Sequence, residues 1–101
     1  MPVPMEQEFR NLDPLLHSQL RLAVVSLLVS VQQAEFGYLR EKAGATAGNL
    51  SAQLTKLESA GYVKVVKSYK NNYPCTTITI TQKGVWAFER YTENLKTYLN
   101  L

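Results

Sequence analysis

The spacing of apolar residues changes at Gly61, and this change constrains the fold more than any other feature of the sequence. Before Gly61, apolar side chains recur every three or four residues, which is the period of an amphipathic helix. Between Tyr62 and Ile80, β-branched and aromatic residues recur about every second position around an Asn-rich loop, which is typical of a hairpin. The helical period then returns. The sequence therefore predicts helices, then a hairpin, then a last helix.

Capping residues mark the helix boundaries. Asp13 followed by Pro14 indicates the start of a first helix, because both residues are favoured at helix N-termini. Gly44 can adopt the left-handed conformation that ends a second helix, and Thr46 and Thr81 can cap a third and a fourth. The predicted helices cover residues 14–30, 36–43, 46–60 and 81–99, with a small strand near Glu35.

Length and composition fit one small domain. The chain has 101 residues, of which 46% are hydrophobic and 19% are charged, as in soluble globular proteins. We expect residues 1–12 to be a loose terminal segment and residues 13–101 to form one α+β, mainly α, domain. Cys75 is the only cysteine, so neither an intrachain disulfide nor a zinc-ligand pair is expected. We therefore expect a cytoplasmic protein without a metal or other cofactor.

Positive charge is concentrated in one part of the chain. Residues 56–83 contain five lysines and one glutamate, a net charge of +4, whereas the whole chain carries +3. This distribution favours a polyanionic partner only weakly, since many unrelated domains carry such charge. The longest apolar stretch, residues 20–31, is interrupted by polar residues and is too short to span a bilayer, so no membrane partner is expected.

The third helix carries two parallel stripes. Its apolar stripe predicts the buried face; the members are Leu50, Leu54 and Leu57. A polar stripe of Asn49, Gln53 and Lys56 has the same spacing but is displaced by one position, roughly 100° around the axis. Amides can bind adenine bidentately, lysine can bind guanine or phosphate, and Gly48 leaves room for close approach. Alternatively, the polar stripe is only a solvated face; the order of helices and hairpin favours DNA binding.

Two further features can contact a DNA backbone. The N-terminus of the third helix, with Thr46, presents amide groups suited to a phosphate, although Thr46 can equally be only a cap. The hairpin tip, residues 67–75, is here called the wing. Lys67, Lys70 and Tyr73 in the wing can contact phosphates or a minor groove, or can be a solvated loop.

The fourth helix carries more apolar surface than one small domain readily covers. We expect it to form an isologous two-fold interface together with the first helix, which would set two third helices against neighbouring half-sites of DNA. The alternative is that it packs only within its own chain. The predicted interface residues are Leu16, Leu20, Val85, Phe88, Leu95 and Leu99.

The stretch TAGNLSAQLTKLESAGYV at residues 46–63, followed by TITQKG at residues 79–84, resembles the winged-helix transcriptional regulators of the MarR/ArsR-like group, in particular their short single-domain members. The resemblance covers about residues 13–99. It implies a winged helix-turn-helix fold, with a three-helix core, a two-stranded β wing and a C-terminal dimerisation helix. It also implies homodimeric DNA binding through the third helix and the wing.

The chain departs from this group in two places. Gln53 stands where such proteins often have His, and Tyr73 and Cys75 flank Pro74 at positions where Arg is common in the wing. ArsR-type metal sensing is not expected, because the third helix has no Cys pair and His17 is the only histidine.

These features together predict a sequence-specific, double-stranded DNA-binding transcriptional regulator that acts as a homodimer on a near-palindromic site. Residues 46–60 would enter the major groove and the wing would contact the adjacent backbone. No enzyme is expected, because the chain has no paired catalytic carboxylates, spaced nucleophile and histidine, or phosphate-binding glycine loop. The alternative is a winged-helix module that binds another protein and no DNA.

Overall fold

The computed structural model describes residues 9–101, and in this range the chain forms four helices and one three-stranded antiparallel sheet. The mainly helical α+β class and the predicted order of elements are confirmed, including the short strand near Glu35. The elements are α1 (Gln19–Val31), β1 (Gln33–Glu35), α2 (Phe36–Ala43), α3 (Ala47–Ser59), β2 (Val63–Lys70), β3 (Tyr73–Ile80) and α4 (Gln82–Leu99).

The first helix begins later than the sequence predicts. Asp13 does start a turn, since its Oδ1 accepts a hydrogen bond from the Leu15 amide at 2.9 Å and its carbonyl oxygen accepts one from His17 at 2.8 Å. Ser18 then adopts an extended conformation, with φ of −150°, and α1 begins only at Gln19. The prediction of one helix from residue 14 was therefore wrong, because the chain closes one turn and then changes direction.

The core lies between the helices and the inner face of the sheet. The leucine stripe of α3 points into it, as the periodicity predicts, and Val24, Val25 and Leu28 of α1 cover it from the opposite side. The buried apolar residues are Leu16, Val24, Val25, Leu28, Leu39, Leu50, Leu54, Leu57, Val63, Ile78 and Tyr91. This packing fixes α3 by one face and leaves its other face outside.

The sheet has the strand order β1-β3-β2, and β1 pairs only with residues 77–79 of β3. The wing lies beyond this pairing and is therefore a two-stranded ribbon. Asn71 and Asn72 form its two-residue turn with φ values of 52° and 67°, a conformation that suits the twist of a hairpin. The loop is thus shorter than the Asn-rich stretch suggests. Pro74 faces Tyr69 at a non-hydrogen-bonded position, so its missing N–H removes no ladder bond.

The start of α4 packs directly on the start of the hairpin. Thr81 caps the helix, since its Oγ1 accepts a hydrogen bond from the Gly84 amide at 3.0 Å. Gly84 is buried, and a Cβ there would overlap the carbonyl oxygen of Tyr62. Only glycine therefore allows this approach.

The predicted loose segment, residues 1–12, lies mostly outside the described range. Within that range, the ring of Phe9 meets the ring of Tyr98 edge-on at 5.2 Å, and the Tyr98 hydroxyl donates to the Arg10 carbonyl oxygen at 2.6 Å. Among the described residues, no helix has both the length and the apolar character needed to cross a membrane.

Candidate nucleic-acid interface

The outward face of α3 is open along the whole helix. Gly48, Asn49, Ala52 and Lys56 are exposed, while the three leucines one position away are buried. The helix begins at the predicted cap, because Thr46 Oγ1 accepts a hydrogen bond from the Asn49 amide at 3.2 Å. This surface carries small residues at its centre and polar side chains at its sides, so another molecule can approach it closely.

Gln53 is less free than the polar stripe suggests. It is half-buried on the side of α3 that faces α1, and its Oε1 accepts a short hydrogen bond from Arg21 Nη1. Its Nε2 donates to Asn49 Oδ1 at 2.9 Å. Arg21 also donates through Nε to the Leu15 carbonyl oxygen at 2.6 Å. The sequence analysis missed Arg21, which lies 32 residues before Gln53 and carries no local signal of this contact.

The opposite side of α3 faces the wing. Ser51 and Thr55 are exposed there, and Thr55 Oγ1 donates to the Ser51 carbonyl oxygen at 3.1 Å. Both line a groove of about 310 Å³ whose other wall includes Val65 and Lys67 of β2. The sequence analysis missed Ser51 and Thr55, although the hairpin that directly follows α3 was a signal that this side would face a groove.

The two wing lysines lie on different faces of the ribbon. Lys67 lies on the same face of β2 as Val65 and lines the groove beside α3. Tyr69, two residues after Lys67, lies on that face as well. Lys70 lies on the other face with its register partner Tyr73, and its Nζ is 3.6 Å from Glu35 Oε1. Tyr69 and Tyr73 are 77% and 74% exposed, so neither is part of the core. Lys67 is therefore the wing cation nearer to α3, and Lys70 is partly neutralised.

The junction between α3 and β2 is fixed to the N-terminal turn. The Tyr62 hydroxyl donates a short hydrogen bond to Asp13 Oδ2, and Lys83 Nζ lies 5.9 Å from the centre of the Tyr62 ring. Burial, followed by the hydrogen bond to Asp13 and the repulsion of its carboxylate, raises the pKa of Tyr62 to about 12. The phenol therefore stays protonated and keeps its bond to Asp13 throughout the neutral range.

The predicted interface residues divide into three groups. Leu16 is fully buried in the core of its own chain, so in this conformation it has no surface to offer a second copy. Leu20, Phe88 and Leu95 are half-buried against the same core, and Val85 is half-buried. Leu99 is 55% exposed. The apolar seam of α4 is thus shared between the core and the outside, and its free part lies toward the C-terminal end.

Comparison with known proteins identifies the family. The family model described as Winged helix DNA-binding domain matches residues 20–99. The chain belongs to this winged-helix DNA-binding family. An uncharacterized protein of Methanocaldococcus jannaschii is 41% identical to this winged helix over 75 residues, which are 74% of this chain and 82% of the relative.

Solved structures agree with that assignment. The transcriptional regulator homologue of Pyrococcus horikoshii superposes on this winged helix with a TM-score of 0.80 at 28% identity, covering 85% of each chain. The Mycobacterium tuberculosis regulator MosR, solved in complex with DNA, gives a TM-score of 0.69 at 16% identity over 85% of this chain and 61% of MosR. The predicted resemblance to winged-helix transcriptional regulators is confirmed.

Proposed function

We propose that this winged helix is a sequence-specific, double-stranded DNA-binding transcriptional regulator that acts as a homodimer. The observation that carries the proposal is the exposed outer face of α3, which is held to the core by its three buried leucines. A helix anchored by one face can place the other in a major groove without rearranging the core. The family match and the DNA complex of the neighbour MosR support this use.

The proposed contacts divide by their role. Asn49 and Lys56 would face base edges, with Gly48 allowing close approach, and Gln53 would act mainly through its bond to Asn49. The amides at the N-terminus of α3, beside Thr46, would bind a phosphate. Lys67, Lys70 and Tyr73 would contact the neighbouring backbone, which fixes register without reading sequence.

The proposed dimer rests on apolar side chains that remain exposed around α4. Trp86 is 64% exposed, Leu101 is 81% exposed, and Leu99, Tyr98 and Phe9 are also exposed. A second copy packing on the C-terminal end of α4 would cover most of these side chains. The two-fold axis would pair two α3 helices, which suits a near-palindromic DNA site. We place this regulator in the cytoplasm. Substituting Leu99 by Lys should then reduce the mass in solution from two chains to one.

The decisive experiment is the selection of bound duplexes from a random pool, with the mass of the protein measured in solution. We expect enrichment of two half-sites about one helical turn apart and a mass of two chains. Asn49→Ala combined with Gln53→Ala should weaken binding to the selected site while leaving the far-ultraviolet circular dichroism unchanged. Ser30→Ala, at an exposed position of α1 outside the proposed interface, is the control and should bind like the original protein.

The salt dependence separates this proposal from a protein-interaction module. A regulator that contacts phosphates loses affinity for duplex steeply as salt rises, because bound counterions are released from the DNA. Failure to bind any duplex at low salt would contradict the DNA-binding proposal and favour the interaction module.

A further inference from the structure

Three side chains form a hydrogen-bonded chain along the side of α3 that faces α1. Arg21 Nη1 donates to Gln53 Oε1, and Gln53 Nε2 donates to Asn49 Oδ1 at 2.9 Å. Arg21 is itself held in place because its Nε donates to the Leu15 carbonyl oxygen at 2.6 Å. Arg21 and Gln53 are half-buried and Asn49 is exposed, so this relay runs from the protein toward the surface proposed to meet DNA.

The arginine fixes the direction of every bond in the relay. A guanidinium has five N–H donors and no acceptor, so the atom of Gln53 that faces it must be the carbonyl oxygen. The amide nitrogen of Gln53 then faces Asn49, and the Asn49 atom that receives its hydrogen must be Oδ1. The Nδ2 group of Asn49, with two hydrogens to donate, is left for an outside partner.

We propose that Arg21 is a positioning residue that sets the base preference of α3 by holding Asn49 with its Nδ2 group outward; this inference rests on the proposed DNA-binding function. Guanine presents two acceptors in the major groove, N7 and O6, whereas adenine presents one acceptor and one donor. The Nδ2 group of Asn49 offers donors only. The position facing Asn49 should therefore be guanine, and not the adenine that free amide side chains would favour.

The sharpest test reverses the relay without removing it. In Gln53→Glu, the carboxylate still pairs with Arg21 but has no hydrogen to donate, so Asn49 must turn its Nδ2 inward and its Oδ1 outward. Selected duplexes should then change from guanine to adenine or cytosine at one position in each half-site, because those bases present amino donors. We expect a change of roughly tenfold in relative affinity between guanine and adenine at that position.

Two further variants complete the test. Arg21→Met removes the donor that imposes direction, so the preference for guanine over adenine should shrink toward equality while circular dichroism shows an intact fold. Ser59→Glu adds the same charge to α3 outside the relay, and it should lower affinity for all duplexes with no change in base preference.

The outcomes separate this inference from the proposed function. If the original protein binds duplexes but already prefers adenine at that position, or if Gln53→Glu and Arg21→Met both keep the original preference, the relay does not set specificity. If the original protein binds no duplex, the proposed function itself fails.

Discussion

The two parts of the proposed DNA interface, α3 and the wing, are held in opposite ways. α3 is anchored by three buried leucines, a side-chain cap at Thr46 and the bond from Arg21 to Gln53. The wing is a two-stranded ribbon with exposed side chains on both faces. Beyond its own ladder, the contacts described for it both end on Glu35: the ion pair from Lys70 and a weak hydrogen bond from Cys75 Sγ at 3.4 Å. Base discrimination needs donors and acceptors in fixed positions, whereas phosphate contacts tolerate movement. This difference supports the proposal that α3 reads the base sequence and that the wing fixes the position of the protein on the DNA backbone.

The largest expected effect tests the anchoring of α3. Leu57→Ala removes a fully buried side chain and should lower the free energy of unfolding by about 2–5 kcal/mol. Tyr69→Ala, at a wing position that is 77% exposed, should change it by less than about 0.5 kcal/mol. Urea unfolding followed by circular dichroism measures both. Equal losses would mean that the wing is as much a part of the folded core as α3.

The cap of α3 should have the next largest effect. Thr46→Ala leaves the Asn49 amide without its side-chain acceptor and should cost about 1 kcal/mol of stability. It should also weaken duplex binding, since the start of α3 frays where a phosphate contact is proposed. Thr46→Ser keeps the acceptor and is the control; if Thr46→Ser lost as much as Thr46→Ala, the hydroxyl would not be the cause.

The wing lysines should differ in binding and not in stability. Lys67→Ala should lower affinity several-fold on all duplexes and reduce the slope of log affinity against log salt by about 1. Lys70→Ala should have a smaller effect, because Glu35 already offsets part of its charge. Titrations at several salt concentrations measure the two slopes. A larger effect for Lys70 would mean that the face of the ribbon carrying Lys70, and not the face carrying Lys67, contacts the DNA.

Local features of the sequence predicted most of the fold. The caps at Thr46 and Thr81, the left-handed Gly44 and the leucine stripe depend on residues within one or two turns, so periodicity and capping were sufficient. The predicted start of α1 was wrong because the true start depends on non-local packing. Leu16 enters the core and Ser18 is extended. Asp13 and Pro14, which can begin a long helix, therefore begin only a single turn.

The sequence predicted which residues lie in the candidate site but not which side chains contact one another there. The exposed face of α3 follows from the position of its leucines, and Asn49 and Lys56 lie on it as predicted. The contacts of Gln53 and Lys70 depend on Arg21 and Glu35, which lie 32 and 35 residues away in the sequence. Neither pair leaves a local pattern, because each forms only when the helices pack and the sheet closes.

The smallest expected effect concerns Tyr62, at the junction between α3 and the hairpin. Because its pKa is raised to about 12, the folded protein holds the phenolic proton more tightly than the unfolded chain, whose tyrosine ionises near 10. The unfolding free energy should therefore not depend on this group below pH 10 and should fall as pH rises from 10 to 12, because burial first and the contact with Asp13 second disfavour the ionised phenol in the fold. Tyr62→Phe should cost only about 0.5 kcal/mol at neutral pH, since the group is partly solvated. Its unfolding free energy should fall less steeply than that of the original protein between pH 10 and 12; parallel curves would show that the phenol does not fix this junction.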